Sequence, residues 1–264
     1  MTSLRSGFSK IFKIILSYLA LLIWVGGVLF IVQFLMVFPF TFIANTFKIA
    51  SATLLQTLYS TTSYLVGFVI IVFVPFWLSK RFKKLSLLAI KNPRLDLGLI
   101  GLPTWTDLGL APIAFIAYTV AAAFLTNLFS AIFPWFNATE TQNVGYDTAM
   151  LGPDRALAFF VLVLVAPIVE ELIFRGFLYP KLKSLIPAKT RRAEIISIII
   201  ATLLTSLLFA IIHGQWNVGV NVFVMSIALC TLREITGSTY AGILMHIIKN
   251  LVAFYILFIA GGGF

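Results

Sequence analysis

Long apolar runs, separated by short polar stretches, occupy most of the chain. An α-helix of about 20 residues is long enough to cross the hydrocarbon core of a bilayer. The runs predict seven such helices, at residues 14–38, 45–78, 110–133, 156–179, 195–213, 218–232 and 239–260. We therefore expect an all-α fold, a polytopic helical bundle embedded in a membrane.

Composition supports a lipid environment. The 264 residues are 61% hydrophobic and 11% charged, whereas a soluble globular protein carries about 25% charged residues. This excludes a water-soluble domain. The first apolar run is longer than the roughly 7–15 residues of a secretory signal, so we interpret it as an uncleaved span. The single cysteine, Cys230, has no disulfide partner.

The distribution of Lys and Arg along the chain indicates its orientation in the membrane. The net charge is +10, but the basic residues lie between apolar runs and do not alternate with aromatic residues, so a nucleic-acid partner is not expected. Of the 19 Lys and Arg residues, 15 fall in alternate connections together with the N-terminal arm, and only two fall on the other side. The positive-inside rule then places the N-terminus in the cytoplasm and predicts contact with anionic lipid.

A few polar residues interrupt the later spans. An ionisable group inside a span costs roughly 2.5–3.5 kcal/mol on insertion scales, so its presence is a functional hypothesis. The members of this group are Glu170, Glu171, Arg175, His213, His246, Lys249 and Asn250.

Helical spacing separates their roles. Glu171 and Arg175 are i and i+4, so they can form an ion pair that braces the span. Glu170 is turned about 100° from Glu171 and has no local cation, which makes it a candidate general base. His246 and Asn250 share another helix face. We assign no role to Lys249.

Other interpretations exist for the same residues. Two carboxylates in a span also suit an ion site in a transporter, and a histidine there is commonly a polar contact between helices. A transporter usually shows two related halves with corresponding broken helices. Here the polar residues have no counterpart before Leu110, which favours an enzyme.

Three motifs resemble one known family. Residues 170–176 match EExxxRG, residues 209–213 match FxxxH, and residues 246–250 match HxxxN. In this order on successive apolar helices, they are similar to the motifs of the CAAX-protease and bacteriocin-processing (CPBP or Abi) intramembrane proteases, which include the type II CAAX prenyl endopeptidases. The resemblance covers residues 151–264, and residues 1–110 resemble no family.

The resemblance implies a catalytic arrangement. Glu170 would take a proton from water, and His213 would orient that water. His246 and Glu171 would assist, while Asn250 would donate to the oxyanion. The alternative is a metalloprotease in which Glu170, His213 and His246 bind zinc. We favour the metal-independent route, without a cofactor, because no HExxH pair is present.

The resemblance also implies an organisation and a substrate. Residues 1–110 would be N-terminal transmembrane helices, and residues 111–264 the protease core of a single membrane domain. The substrate would be a membrane-associated protein, either prenylated (CAAX-type) or not. We expect a multi-pass protein of the cell membrane with its active site open toward the cytoplasm. The alternative within the family is a non-catalytic immunity or scaffold protein. Oligomeric state stays open.

Glu170 and His213 are predicted to lie at different depths in the membrane. At 1.5 Å per residue, Glu170 lies about 15 Å from the basic boundary at Lys181, whereas His213 lies about 27 Å from the same side. The 15-residue sixth span is short for a crossing, so we expect the turn at residues 214–219 to lie within the membrane. We predict that Glu170, His213, His246 and Asn250 converge on one polar cavity.

Overall fold

A computed structural model of the protein describes residues 2–261. The described residues contain no β-strand and include seven helices long and apolar enough to cross a membrane, which confirms the predicted fold class. Their bounds are α1 (Thr2–Phe47), α2 (Ala52–Ser79), α3 (Trp105–Ile132), α4 (Gly152–Ser184), α5 (Arg191–Ile211), α6 (Trp216–Thr236) and α7 (Tyr240–Phe258).

Polar caps set several helix ends. Thr104 and Asp107 form a reciprocal capping box that starts α3, and the Thr190 hydroxyl accepts from the Ala193 amide at the start of α5. Such caps satisfy amides that have no partner inside the helix. Gly237, with φ 68°, ends α6 in the left-handed conformation that glycine adopts without strain.

The sixth helix is longer than the sequence predicted. It comprises 21 residues, Trp216–Thr236, because polar residues at both of its ends continue the helix beyond the apolar run at 218–232. The preceding turn is therefore confined to residues 212–215. The expectation of a 15-residue sixth span was wrong.

Helix α4 lies at the centre of the bundle. Half of its most apolar window is buried, a larger share than in the other six helices. It packs against α2, α5 and α7, while α3 and α6 pack against each other beside it. Two π-helical segments, Phe160–Val165 and Leu172–Leu178, flank its two glutamates. Wide turns of this kind are frequent at functional sites.

The bundle has two distinct ends. At the basic end, the α2–α3 connection meets the start of α7, where the Thr239 amide donates to the Gly98 carbonyl. The α4–α5 connection lies at the same end. At the opposite end, the α3–α4 connection (residues 133–151) meets the α5–α6 turn, where the Gln215 side chain donates to the Thr141 carbonyl.

Candidate active site

A cavity of about 240 Å³ lies among α2, α4, α6 and α7. This volume accommodates several water molecules, since one water takes about 30 Å³ in the liquid. The four residues predicted to converge all line it. Its lining comprises Tyr64, Gln142, Asn143, Val144, Leu162, Ala166, Glu170, His213, Val222, Met225, His246, Lys249, Asn250, Ala253, Phe254, Leu257 and Phe258.

Two side chains face the carboxylate of Glu170. The Tyr64 hydroxyl donates to Oε1 at 2.8 Å, and Nε2 of His246 lies 3.8 Å from Oε2. The second distance is too long for a direct hydrogen bond. Oε1 is therefore anchored, while Oε2 faces the histidine across a gap inside the cavity.

Tyr64 is a residue that the sequence did not reveal. The sequence analysis named no site residue in the first two spans, whereas the structure places Tyr64 of α2 at the cavity. A tyrosine in an apolar helix carries no pattern that distinguishes a site residue from an interfacial one. Its partner Glu170 is 106 positions away, so helical spacing could not connect them.

Glu171 is the centre of a buried polar cluster. Its Oε1 accepts from Nη1 of Arg175 at 2.8 Å, and both side chains are 0% exposed. Arg175 also donates from Nη2 to the Ser226 hydroxyl on α6 at 2.6 Å. The arginine charge faces the Phe209 ring at 4.7 Å. The pair joins α4 to α5 and α6 and compensates two charges that would be costly alone.

The same glutamate orients His246. Nδ1 of His246 lies 3.0 Å from Glu171 Oε1, the oxygen that also accepts from Arg175. A carboxylate can only accept hydrogen bonds, so Nδ1 carries the proton. Nε2 is then the nitrogen directed toward Glu170, and the ring is only 2% exposed.

His213 follows the last turn of α5. Its Nδ1 lies 2.7 Å from the Phe209 carbonyl, which can only accept, so the proton is again on Nδ1. Burial lowers the pKa of His213 from its ordinary value, although the charge of Glu170 opposes this shift. In its neutral form, the ring presents the lone pair of Nε2. The centre of the Phe209 ring lies 4.9 Å from that of His213 and 6.0 Å from that of His246.

Asn250 lies one turn beyond His246 on α7. Its Nδ2 donates to the Leu162 carbonyl at 2.7 Å, within the first π-helical segment of α4. This contact uses one of the two N–H groups of the amide and fixes its orientation. The second N–H group is available for a ligand in the cavity.

Two groups of cavity residues were not anticipated. Lys249, to which the sequence assigned no role, lines the cavity beside Asn250. From the α3–α4 connection come Gln142, Asn143 and Val144. These three residues carry no charge and lie outside the apolar runs, so their sequence positions do not distinguish them from other loop residues.

Glycines permit close packing behind the site. A Cβ at Gly242 would lie 2.9 Å from Oε2 of Glu171, closer than real Cβ atoms approach other atoms. At Gly176, the glycine of the first motif, an added Cβ would lie 3.1 Å from the Leu97 carbonyl oxygen, which is tighter than most Cβ contacts. The small size of glycine therefore permits close packing at both positions.

The donor atoms do not form a zinc site as they are placed. Zinc is bound at about 2.0–2.2 Å by three or four ligands that converge on one point. Within residues 2–261, no group of three His, Cys, Asp or Glu side chains has a spacing that could hold a metal ion. His213 and His246 line the cavity together with Glu170, whose Oε1 accepts from Tyr64.

The cavity lies toward the opposite end of the bundle. Its lining includes Phe258, the last residue of α7, and Asn143 of the α3–α4 connection. The lining includes no residue from the connections at the basic end. The expected opening toward the cytoplasm stays a prediction.

One family model matches part of the chain. The family model described as "Type II CAAX prenyl endopeptidase Rce1-like" matches residues 152–252. This segment contains the five candidate catalytic residues and Arg175, but not Tyr64 or the α3–α4 connection. No curated protein and no solved structure matches the chain.

Proposed function

Residues 152–252 match the model of the Rce1-like type II CAAX prenyl endopeptidase family, and on this basis we propose that Glu170 activates water to hydrolyse a peptide bond within the membrane. One observation carries the proposal. A carboxylate anchored by Tyr64 and an imidazole anchored by Glu171 face each other, 3.8 Å apart, across a gap in a cavity.

The first step is activation of water. A water molecule between Oε2 of Glu170 and Nε2 of His213 or His246 transfers a proton to the carboxylate while its oxygen attacks the scissile carbonyl carbon. Tyr64 keeps Oε1 occupied, so the proton goes to Oε2. A positioned general base of this kind contributes roughly 10²–10⁴ to the rate.

The second step is stabilisation of the tetrahedral intermediate. The free N–H group of Asn250 donates to the oxyanion, and removal of one such donor costs about 2.7–4 kcal/mol in other hydrolases. Collapse of the intermediate breaks the C–N bond. The proton on Glu170 then passes to the leaving amine, so the carboxylate is restored and the water is consumed.

Glu171 and Arg175 support the reacting groups without contacting the substrate. Glu171 holds Nδ1 of His246, and Arg175 compensates the charge of Glu171 within the apolar interior. We assign the chemistry to the chain's own side chains, and the chelator experiment described below tests the zinc alternative.

The substrate proposed is a segment of a membrane-associated protein. The cavity lies within a bundle of membrane-spanning helices, so a bond reaches it only if the substrate is held in or at the bilayer. The family name points to a prenylated CAAX sequence, and a matched pair of probes tests whether the prenyl group is needed.

Cleavage by the purified protein tests this proposal. A fluorescence-quenched CAAX peptide, with and without a farnesyl group, is incubated with the wild type in proteoliposomes, before and after treatment with 1,10-phenanthroline. The glutamate route predicts cleavage that the chelator does not change. Chelator-sensitive activity that zinc restores would establish the metal route. Failure to cleave either peptide would contradict the assignment of CAAX sequences as substrates.

A further inference from the structure

A second pocket lies at the basic end of the bundle, between the last turn of α4 and the α2–α3 connection. Its volume is about 640 Å³, and it shares no lining residue with the catalytic cavity. Three lysines line it, Lys83 and Lys91 from the connection and Lys181 from α4. Three positive charges around one pocket favour an anionic ligand.

Lys181 is fixed at the wall of this pocket. Its side chain is half-buried, and its Nζ donates to the Ala89 carbonyl, which joins the end of α4 to the α2–α3 connection. An ammonium group has three N–H donors. Within residues 2–261 this is the one hydrogen bond that the Lys181 side chain makes, so two donors can bind a ligand.

The charges of the three lysines are not neutralised by ion pairs. Among the described residues, no ion pair includes Lys83, Lys91 or Lys181. By contrast, Nζ of Lys183, two positions further along α4, lies 2.7 Å from a carboxylate oxygen of Glu234. Pairing is therefore possible at this end of the bundle, but it does not occur in the pocket.

The carboxylate that lines the pocket is bound to the backbone. Oδ2 of Asp96 accepts from the Lys91 amide at 2.5 Å and from the Asn92 amide at 3.1 Å. These contacts hold the Lys91 segment in place. Three lysines thus surround the pocket against one aspartate, and an excess of positive charge remains.

The other lining residues suit a phosphate group on a lipid. Ser86 is exposed and lines the pocket, and its hydroxyl can donate to an anionic oxygen. Ile90 and Phe177 are buried and supply apolar surface. The pocket lies where the spans of α2 and α4 end, at the depth of lipid headgroups. Basic pockets between helices at this depth bind acidic headgroups in other membrane proteins.

We propose that this pocket binds the phosphate group of an anionic phospholipid, with Lys83, Lys91 and Lys181 supplying the positive charge. A phospholipid is favoured over free phosphate, because the pocket borders the membrane and combines cations with apolar surface. The bound lipid joins the α2–α3 connection to α4 at Gly176, the glycine of the first motif, which also lines the pocket. The inference does not depend on the proposed function.

Lipid retention by the purified protein tests the proposal. The protein is mixed with equal amounts of phosphatidylglycerol and phosphatidylcholine in a neutral detergent, and the retained lipids are measured by native mass spectrometry. The pocket variant replaces all three lysines with glutamine. The matched control, Lys13→Gln/Lys189→Gln/Arg192→Gln, removes the same charge from exposed positions outside the pocket.

The wild type and the control should prefer phosphatidylglycerol, and the pocket variant should retain it at least about tenfold less. Equal retention by the two triple variants would overturn the proposal, because it would show a response to overall charge alone.

A milder variant covers the case in which the triple pocket variant does not fold. Ser86→Asp keeps the three lysines and the contact of Lys181 with Ala89, but adds a carboxylate to the pocket. Lys189→Gln is its control, because it makes the same change in net charge. Phosphatidylglycerol should raise the Tm of the wild type and of Lys189→Gln, but not that of Ser86→Asp. Equal shifts in the two variants would contradict the site.

Inorganic phosphate distinguishes the two sources of the anion. We expect phosphatidylglycerol to stay bound in excess phosphate and phosphate alone to leave Tm unchanged. Displacement of the lipid by phosphate, together with an equal rise in Tm, would show a site for free phosphate and overturn the assignment to a lipid.

Discussion

The Tyr64 hydroxyl donates a 2.8 Å hydrogen bond to Oε1 of Glu170 and thereby joins α2 to the motif of α4. The two residues are 106 positions apart, and Tyr64 lies outside the segment that the family model matches. A helix that the family model does not include thus holds the candidate general base.

Removal of this hydroxyl should reduce the rate of cleavage. Tyr64→Phe keeps the ring but loses the donor, and a hydrogen bond to a charged group is worth about 1.5–3 kcal/mol. We expect kcat to fall roughly tenfold to a hundredfold, with little change in thermal stability. Tyr59→Phe is the matched control on α2, because the Tyr59 hydroxyl donates to the Gln33 carbonyl instead. Equal rates for the two variants would refute the role of Tyr64.

The Glu171–Arg175 pair allows stability to be separated from activity. Glu171→Leu leaves the arginine charge buried without its carboxylate, which should cost about 3–5 kcal/mol and lower Tm. The double variant Glu171→Leu/Arg175→Met removes both charges and should recover most of the lost Tm. It should stay inactive, because Nδ1 of His246 has lost its acceptor.

Thermal unfolding in detergent and the peptide assay, run on the same preparations, give both readouts. An unchanged Tm in the single variant would contradict a stabilising role for the Glu171–Arg175 pair. Restored cleavage in the double variant would show that Glu171 does not orient His246.

Gly242 gives a steric test of the same carboxylate. In Gly242→Ala, the added Cβ would lie 2.9 Å from Oε2 of Glu171, so the carboxylate must shift and His246 must follow. A misplacement of about 1 Å can cost roughly a hundredfold in rate, and we expect kcat to fall about tenfold to a hundredfold. Gly109→Ala on α3 is the control, because nothing lies within 4 Å of its added Cβ. The hypothesis fails if both variants cleave at the wild-type rate.

Seven spans were predictable because each is a long apolar run, and lipid demands such runs. The contact of Glu171 with Arg175 was predictable too, since i and i+4 residues share a helix face. The ends of α6 were not predictable, because its polar terminal turns continue the helix outside the apolar run. The sequence also gave no sign of the π-helical segments in α4.

The contacts between helices were harder to predict. Helical spacing places His246 and Asn250 on one face, but it does not say that Glu171 orients the imidazole or that Leu162 accepts from the amide. The depth estimate placed His213 far from the basic side. The structure explains this, because the cavity extends from Glu170 toward the end of the bundle where His213 lies.

The most direct test of the account is the cleavage rate of Glu170→Gln. The amide keeps the shape of the side chain and can still accept from Tyr64, but it cannot take a proton from water. Glu194→Gln is the matched control, because Glu194 pairs with Arg191 at the start of α5, away from the cavity. With the peptide that the wild type cleaves, we predict a loss of at least about a hundredfold in kcat for Glu170→Gln and a wild-type rate for Glu194→Gln. Cleavage by Glu170→Gln at the rate of the control would contradict the glutamate mechanism.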